Sequence, residues 1–157
     1  MAARELRITW QRFLREGKTC CRCQATEAAV EKAVEFLEQT LVPQGIKVVV
    51  EKLPLSAEDF ARNPLASNRI WLNGRPLEDW LHLGVGQSPC NGVCGGAECR
   101  TLVIEETIFD AVPEALLVQA GLIAASRMLA KETTSSCHQN QTMAGSPSKV
   151  RSSGEVS

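Results

Sequence analysis

A chain of 157 residues is one domain's worth, long enough to bury a core without a disulfide or a metal to hold it together. Its formal net charge of −1 argues against a nucleic-acid partner, which calls for a clear basic excess, and no apolar run reaches the length of a membrane span. Met1-Ala2-Ala3-Arg4-Glu5 lacks the apolar stretch of a secretory signal, so the expected compartment is the reducing cytoplasm, where grouped cysteines signal catalysis or metal capture.

Leu6, Ile8, Trp10 and Phe13 stand among charged residues at near period two and predict a first strand over residues 5–13. The cluster Cys20-Cys21-Arg22-Cys23 follows. Behind it Val30, Ala33, Val34, Leu37 and Leu41 recur at helical spacing, with Glu27, Glu31, Glu35 and Glu38 on the solvated face. Pro43 and Gly45 end that helix. The β-branched run Val48-Val49-Val50 places a buried strand over residues 46–53, parallel to the first. Ser56 with Asp59 is a capping-box pattern opening a short helix, which Asn63-Pro64 ends. Residues 69–72 read as a strand and Asn73-Gly74 as a turn.

One or two helical turns are expected over residues 77–83. A glycine-rich loop without secondary structure of its own should follow, carrying Cys90-x3-Cys94-x4-Cys99. Short strands over 101–104 and 107–111 hinge at Glu105-Glu106. Pro113 then stands at the first position of a last helix, running to about residue 130. That helix is apolar nearly all round and is expected to be well buried. Gly121 within it lowers helix stability by ~1 kcal/mol relative to alanine, which close packing on the sheet would explain. The folded domain is expected over residues 1–131, with the cysteine-rich loop at 84–100. Residues 132–157 are almost free of apolar side chains and read as a disordered polar tail, with Cys137-His138 a chance pair inside it.

The first cluster has a chemical logic. A helix N-terminus offers unsatisfied N–H groups and about half a positive charge. A thiolate there is stabilised, so its pKa falls from about 8.5 toward neutrality or below. Lys18 and Arg22 add positive charge. Cys20 is then the attacking thiol and Cys23, inside the first turn, the resolving one. Cys21 either fills the variable position, competes as attacker, or pairs with Cys20 as a vicinal disulfide.

Three segments together carry a resemblance: residues 17–23, with Cys20 to Cys23; Ser67-Asn68-Arg69-Ile70-Trp71-Leu72-Asn73-Gly74-Arg75-Pro76-Leu77-Glu78; and Ser88-Pro89-Cys90 through Cys99-Arg100. Over residues 5–130 the chain resembles a family of small uncharacterised bacterial and archaeal proteins with a thioredoxin-like fold, a domain of unknown function. The resemblance implies an α/β fold with a mixed four- or five-stranded sheet flanked by helices and a cysteine-rich loop insertion. It implies no activity. Thioredoxins place a cis-proline just before the strand facing their thiols, whereas here Ala66-Ser67-Asn68 precedes it and the nearest proline is Pro64. A specialised thiol site is therefore expected in place of a general protein-disulfide reductase.

In the second cluster, glycines at 92, 95 and 96 let the backbone fold tightly enough for three sulfurs to converge at ~2.3 Å on one ion. Joined to Cys20 and Cys23, the loop carrying Cys90, Cys94 and Cys99 has sulfurs enough to complete a tetrahedral four-thiolate set, of a kind that selects zinc, copper(I) or an iron–sulfur cluster. The Cys-x3-Cys pair before a hairpin is similar to that of the thioredoxin-like two-iron ferredoxins, although their first pair is usually spaced more widely. A loop of free thiols is the plain alternative. His82 reads as an exposed turn histidine rather than a ligand, and Trp10, Trp71 and Trp80 as packing groups.

Two functions follow. The first is dithiol–disulfide exchange at Cys20 and Cys23 on an unidentified thiol or disulfide substrate, with Cys21 as a possible auxiliary. The alternative is non-enzymatic binding of zinc, copper(I), mercury, arsenite or an iron–sulfur cluster by both clusters. Cys20 or Cys23 is expected to lie close to at least one of Cys90, Cys94 and Cys99, because the first cluster alone has too few ligands for a metal and the second has no helix to activate it.

Overall fold

The computed structural model describes residues 4–90 and 94–143, with side chains as far as residue 131. Strand β1 (Arg4–Phe13) buries Leu6, Ile8, Trp10 and Phe13, the alternation that a sheet with one packed face requires. Helix α1 (Cys21–Leu41) buries Cys23, Thr26, Val30, Ala33, Leu37 and Leu41 along one stripe. A 3₁₀ turn over Val42–Gln44 and Gly45, at φ 81°, reverse the chain into β2 (Ile46–Leu55). The new strand lies parallel to β1, with Arg4 opposite Ile46 and Phe13 opposite Leu55.

Helix α2 (Ala57–Arg62) starts where Ser56 Oγ accepts the Asp59 N–H at 3.1 Å. After a turn over Pro64–Ala66, β3 (Arg69–Leu72) pairs antiparallel with β1, and β4 (Arg75–Pro76) folds back on it. Asn73 and Gly74, at φ 51° and 79°, form the turn between them. The sheet order is β2-β1-β3-β4, a mixed four-stranded sheet.

Helix α3 (Leu77–Leu81) leads to a second, three-stranded sheet of order β5-β6-β7: β5 (Gly84–Pro89), β6 (Glu98–Ile104) and β7 (Thr107–Phe109). The expected cysteine-rich loop is thus corrected to a β-hairpin, with Gly86 opposite Thr101 and Ser88 opposite Cys99. Gly84 and Gly86 belong to a strand, while Gly95 and Gly96 lie in the tip. A Cβ on Gly86 would stand 2.9 Å from Thr101 Oγ1, so glycine here lets a β-branched partner strand approach.

Helix α4 (Glu114–Met143) follows, fixed at its entry by the Val112 N–H donating to the buried Thr26 Oγ1 at 3.0 Å. Three expectations about it are corrected. Only one face is buried, through Leu117, Ala120, Ala124 and Ala125, while Leu122 is exposed. Gly121 does pack closely, but against α1: a Cβ there would lie 2.6 Å from Leu37 Cδ1. The backbone also stays helical to Met143 rather than stopping near residue 130. Neither glycine nor proline occurs between Gly121 and Gly145 to end it. Residues 144–157, and the side chains of Cys137 and His138, lie outside the described residues. Among the described residues no helix is long and apolar enough to cross a membrane.

Candidate functional site

At the C-terminal end of β1 the chain makes a tight reversal. Arg15 and Lys18 exchange backbone hydrogen bonds of 2.8 and 2.9 Å, and Glu16 and Gly17 between them are both left-handed, at φ 51° and 75°. This turn delivers Cys20 to the N-cap of α1 in extended backbone, φ −78° and ψ 169°. The Cys20 carbonyl accepts the Gln24 N–H at 2.9 Å, closing the first helical turn. Cys23 sits within that turn, 2 % exposed, its Sγ 3.8 Å from Ser67 Oγ. Cys21 points outward and is exposed.

The hairpin brings the second cluster to the same place. Cys90 ends β5 and donates its N–H to the Ala97 carbonyl at 2.9 Å, while Gly96 N–H returns to the Cys90 carbonyl at 2.8 Å. Gly95 and Gly96, at φ 63° and 81°, adopt the left-handed backbone this tip needs. Cys90, Cys94 and Cys99 are all buried. The two clusters meet: the Sγ atoms of Cys20, Cys90 and Cys94 lie within 4.8 Å of one another. Cys23 and Cys99 border this triangle, Cys23 through a hydrogen bond with Cys20 and Cys99 through one with Cys94.

Topology explains the meeting. Because β3 runs antiparallel to β1, with Gln11 opposite Arg69 and Ile8 opposite Leu72, it ends at the far edge from Cys20. Helix α3 and β5 carry the chain back. Arg22, between the thiols of the first cluster, donates to the Pro89 carbonyl at 2.6 Å and the Ser88 carbonyl at 3.4 Å. On the other strand Arg100 forms a buried ion pair with Glu78 and donates to the Leu65 carbonyl at 3.3 Å.

The thiols divide into one acid and several weak ones. The Cys23 thiol, foremost, holds Cys20 down to about 4 against the opposing effect of burial. The backbone N–H of Cys23, the Cys90 thiol and the Arg22 N–H add to it. Cys23 is pushed up, first by giving its hydrogen bond to Cys20 and then by burial. Burial above all raises Cys90 to about 12, helped by its own hydrogen bond to Cys20, and burial likewise raises Cys94. One thiolate, at the helix N-terminus, is thereby solvated by its protonated neighbours.

A family model described as Domain of unknown function (DUF2703) matches residues 6–121, a span holding both cysteine clusters and every hydrogen bond just described. The chain belongs to this DUF2703 family. It is also 44 % identical over 108 residues to an uncharacterized protein of Archaeoglobus fulgidus, covering 69 % of this chain and 79 % of that relative. No solved structure matches it significantly.

A cleft of ≈ 340 Å³ reaches this DUF2703 thiol centre at Cys94, lined also by Phe13, Arg15, Phe60, Pro64 and Gly95. Phe13 and Phe60 stack with ring centroids 4.1 Å apart and form its firm wall. His82 is exposed and left-handed at the end of α3, as a capping residue. Trp10 is fully buried, with Nε1 donating to Asn68 Oδ1 at 3.0 Å, while Trp71 and Trp80 are half-buried beneath Arg69 and Arg75. Sequence reasoning missed Ser67, Asn68, Arg100 and Glu78. The signal for the first two is a pair of small polar residues directly before an apolar strand.

Proposed function

We infer that this DUF2703 protein is a thioredoxin-like dithiol protein of the cytoplasm that exchanges electrons with a dedicated thiol or disulfide substrate. The observation that carries this reading is Cys20 at the N-cap of α1 with the Cys23 thiol hydrogen-bonded to it. The strand order β2-β1-β3-β4, with α1 joining two parallel strands and an antiparallel hairpin beside β1, is similar to a minimal thioredoxin fold and supports it. Ser67, preceding β3 and touching Cys23, stands where thioredoxins carry their cis-proline. That substitution argues for a small or specialised substrate.

In this reading the Cys20 thiolate attacks one sulfur of the substrate disulfide. A mixed disulfide forms and the other substrate sulfur leaves as a thiolate, which takes the Cys23 proton. Cys23 then attacks Cys20, closing the intramolecular disulfide and releasing the second substrate thiolate. The substrate gains two electrons and the Cys20–Cys23 pair loses two. A low attacking pKa and a raised resolving pKa order these steps, because only Cys20 is ionised at neutral pH. The hydrogen bond between Cys90 and Cys20 supports a role for the second cluster as an auxiliary thiol relay.

Stopped-flow reduction of a small aromatic disulfide by the reduced protein tests this. Cys20→Ser should abolish the fast phase, and Cys23→Ser should accumulate a mixed disulfide at Cys20 detectable by mass. Unchanged kinetics in both variants would remove the reading.

A further inference from the structure

We propose that Cys20, Cys90 and Cys94 form a binding site for one three-coordinate thiophilic ion of the arsenite or mercuric class, and that closing the Cys20–Cys23 disulfide empties it. The second half rests on the exchange reading above.

Three buried sulfurs within 4.8 Å of one another are rare as packing, since a buried free cysteine ordinarily behaves as a single small hydrophobe. Sulfurs bound to one centre through bonds of about 2.3 Å lie roughly 3.3–4 Å apart, closest where the centre is pyramidal, so this triangle needs to contract by no more than about 1.5 Å. Among the described residues, no fourth Cys, His, Asp or Glu joins the three at that mutual separation. Cys23 is committed to Cys20 and Ser67, and Cys99 reaches Cys94 from the far strand. An ion content with three soft ligands fits this set with no more than that contraction, whereas tetrahedral zinc demands a fourth.

The surroundings agree. The cleft beside Cys94 is walled by Phe13, Phe60 and Pro64, apolar groups that exclude hard, hydrated cations but leave room for a small neutral species. Arsenite enters uncharged, bearing three hydroxyl groups. Cys90 and Cys94 each give their thiol proton to a hydroxyl that leaves as water, and the Cys20 thiolate displaces the third, which leaves as water with a proton from solvent. An arsenic–sulfur bond replaces each arsenic–oxygen bond, so no electron is transferred. Cys20 is shared between the two chemistries. When a substrate disulfide oxidises it together with Cys23, the triangle keeps only Cys90 and Cys94, and water displaces their bonds to the ion.

The test titrates the reduced full-length protein with arsenite in the absence of oxygen. Protected thiols are mapped by alkylation and mass spectrometry, and sulfurs per arsenic are counted by X-ray absorption. The expected result is one arsenic per chain bound by three sulfurs, from Cys20, Cys90 and Cys94. Cys20→Ser, Cys90→Ser and Cys94→Ser should each weaken binding by about tenfold or more, with Cys21→Ser within about twofold of the wild type. Two sulfurs per arsenic, or displacement of arsenite by equimolar zinc with a fourth thiol protected, overturns the three-coordinate site. Undiminished arsenite binding after the Cys20–Cys23 disulfide has been verified overturns the gate. If three thiols are protected but that disulfide never forms, the exchange reading and the gate fall together while the ion site stands. The wild-type sulfur count decides the site even if a serine variant fails to fold.

Discussion

Arg22 Nη2 donates to the Pro89 carbonyl at 2.6 Å, so the side chain lying between the thiols of one cluster holds the strand that delivers the other. The same guanidinium reaches the Ser88 carbonyl, and Asp110 at 3.7 Å on its exposed side. Hydrogen bonds from a charged donor contribute about 1.5–3 kcal/mol, far more than the exposed ion pair. Arg22→Ala should therefore destabilise the protein by about 2 kcal/mol in chemical denaturation. Hydrogen exchange should speed up in the β5–β6 hairpin more than in α1 or α4. Equal acceleration everywhere would show that Arg22 does not pin the hairpin.

The thiols also set a pH dependence in the reduced, metal-free protein. Cys20, at about 4, holds fewer protons when folded than when unfolded, where a thiol titrates near about 8.5. Its contribution is therefore complete above the unfolded value and is lost as pH falls toward 4. Cys23, Cys90 and Cys94 are raised, so theirs is complete below the unfolded value and is lost as pH climbs beyond it. The stability difference between wild type and Cys20→Ser should widen as pH rises from about 5 to about 8, tracked by urea unfolding with a chelator present. Thiolate absorbance equivalent to one cysteine should persist to near pH 4 in the wild type alone. A difference that ignores pH would contradict the ionised N-cap thiol.

Much of this centre was legible in the residues themselves. The period of β1, the stripe of α1 and the β-branched run of β2 specify the parallel strand–helix–strand unit, and its geometry puts Cys20 at a helix N-terminus. The hairpin was not legible, because glycines at 84 and 86 look like loop chemistry until the side chains of Thr101 and Val103 are seen passing over them. Long-range polar contacts were hidden for a different reason. Nothing local in Arg100 or Glu78 states that residues 22 apart share a buried ion pair, nor in Ser67 that its hydroxyl serves both Cys23 and the Phe13 N–H.

That ion pair makes its own prediction. Arg100 and Glu78 are both nearly buried, and removing one partner of such a pair strands the other charge at a cost of about 3–5 kcal/mol. Glu78→Ala should lower stability by that amount. Replacing both, as Glu78→Leu with Arg100→Met, should cost less than Glu78→Ala alone, because the buried Arg100 charge goes with its partner and Arg69, the other cation beside Glu78 at 4.0 Å, is part-exposed. Denaturation midpoints of the three proteins check this. A double variant weaker than the single one would mean that the Arg100 bond to the Leu65 carbonyl outweighs the pair.

The seam between α1 and α4 offers a test of packing against propensity. Alanine at position 121 gains ~1 kcal/mol of intrinsic helix stability over glycine. Its methyl, however, would lie 2.6 Å from Leu37 Cδ1 and 2.9 Å from Cδ2, and Leu37 is fully buried. Overpacking of this kind costs about 1–3 kcal/mol, so the two effects oppose and the steric one should win. Gly121→Ala is expected to destabilise by about 1 kcal/mol net. Leu37→Ala alone should cost about 2–5 kcal/mol by leaving a cavity. Combined, the new methyl enters the space the leucine vacates, so the double variant should be at least ~1 kcal/mol more stable than the two losses added together. Strict additivity, or a Gly121→Ala protein more stable than the wild type, would mean that glycine is tolerated at this seam rather than required by it.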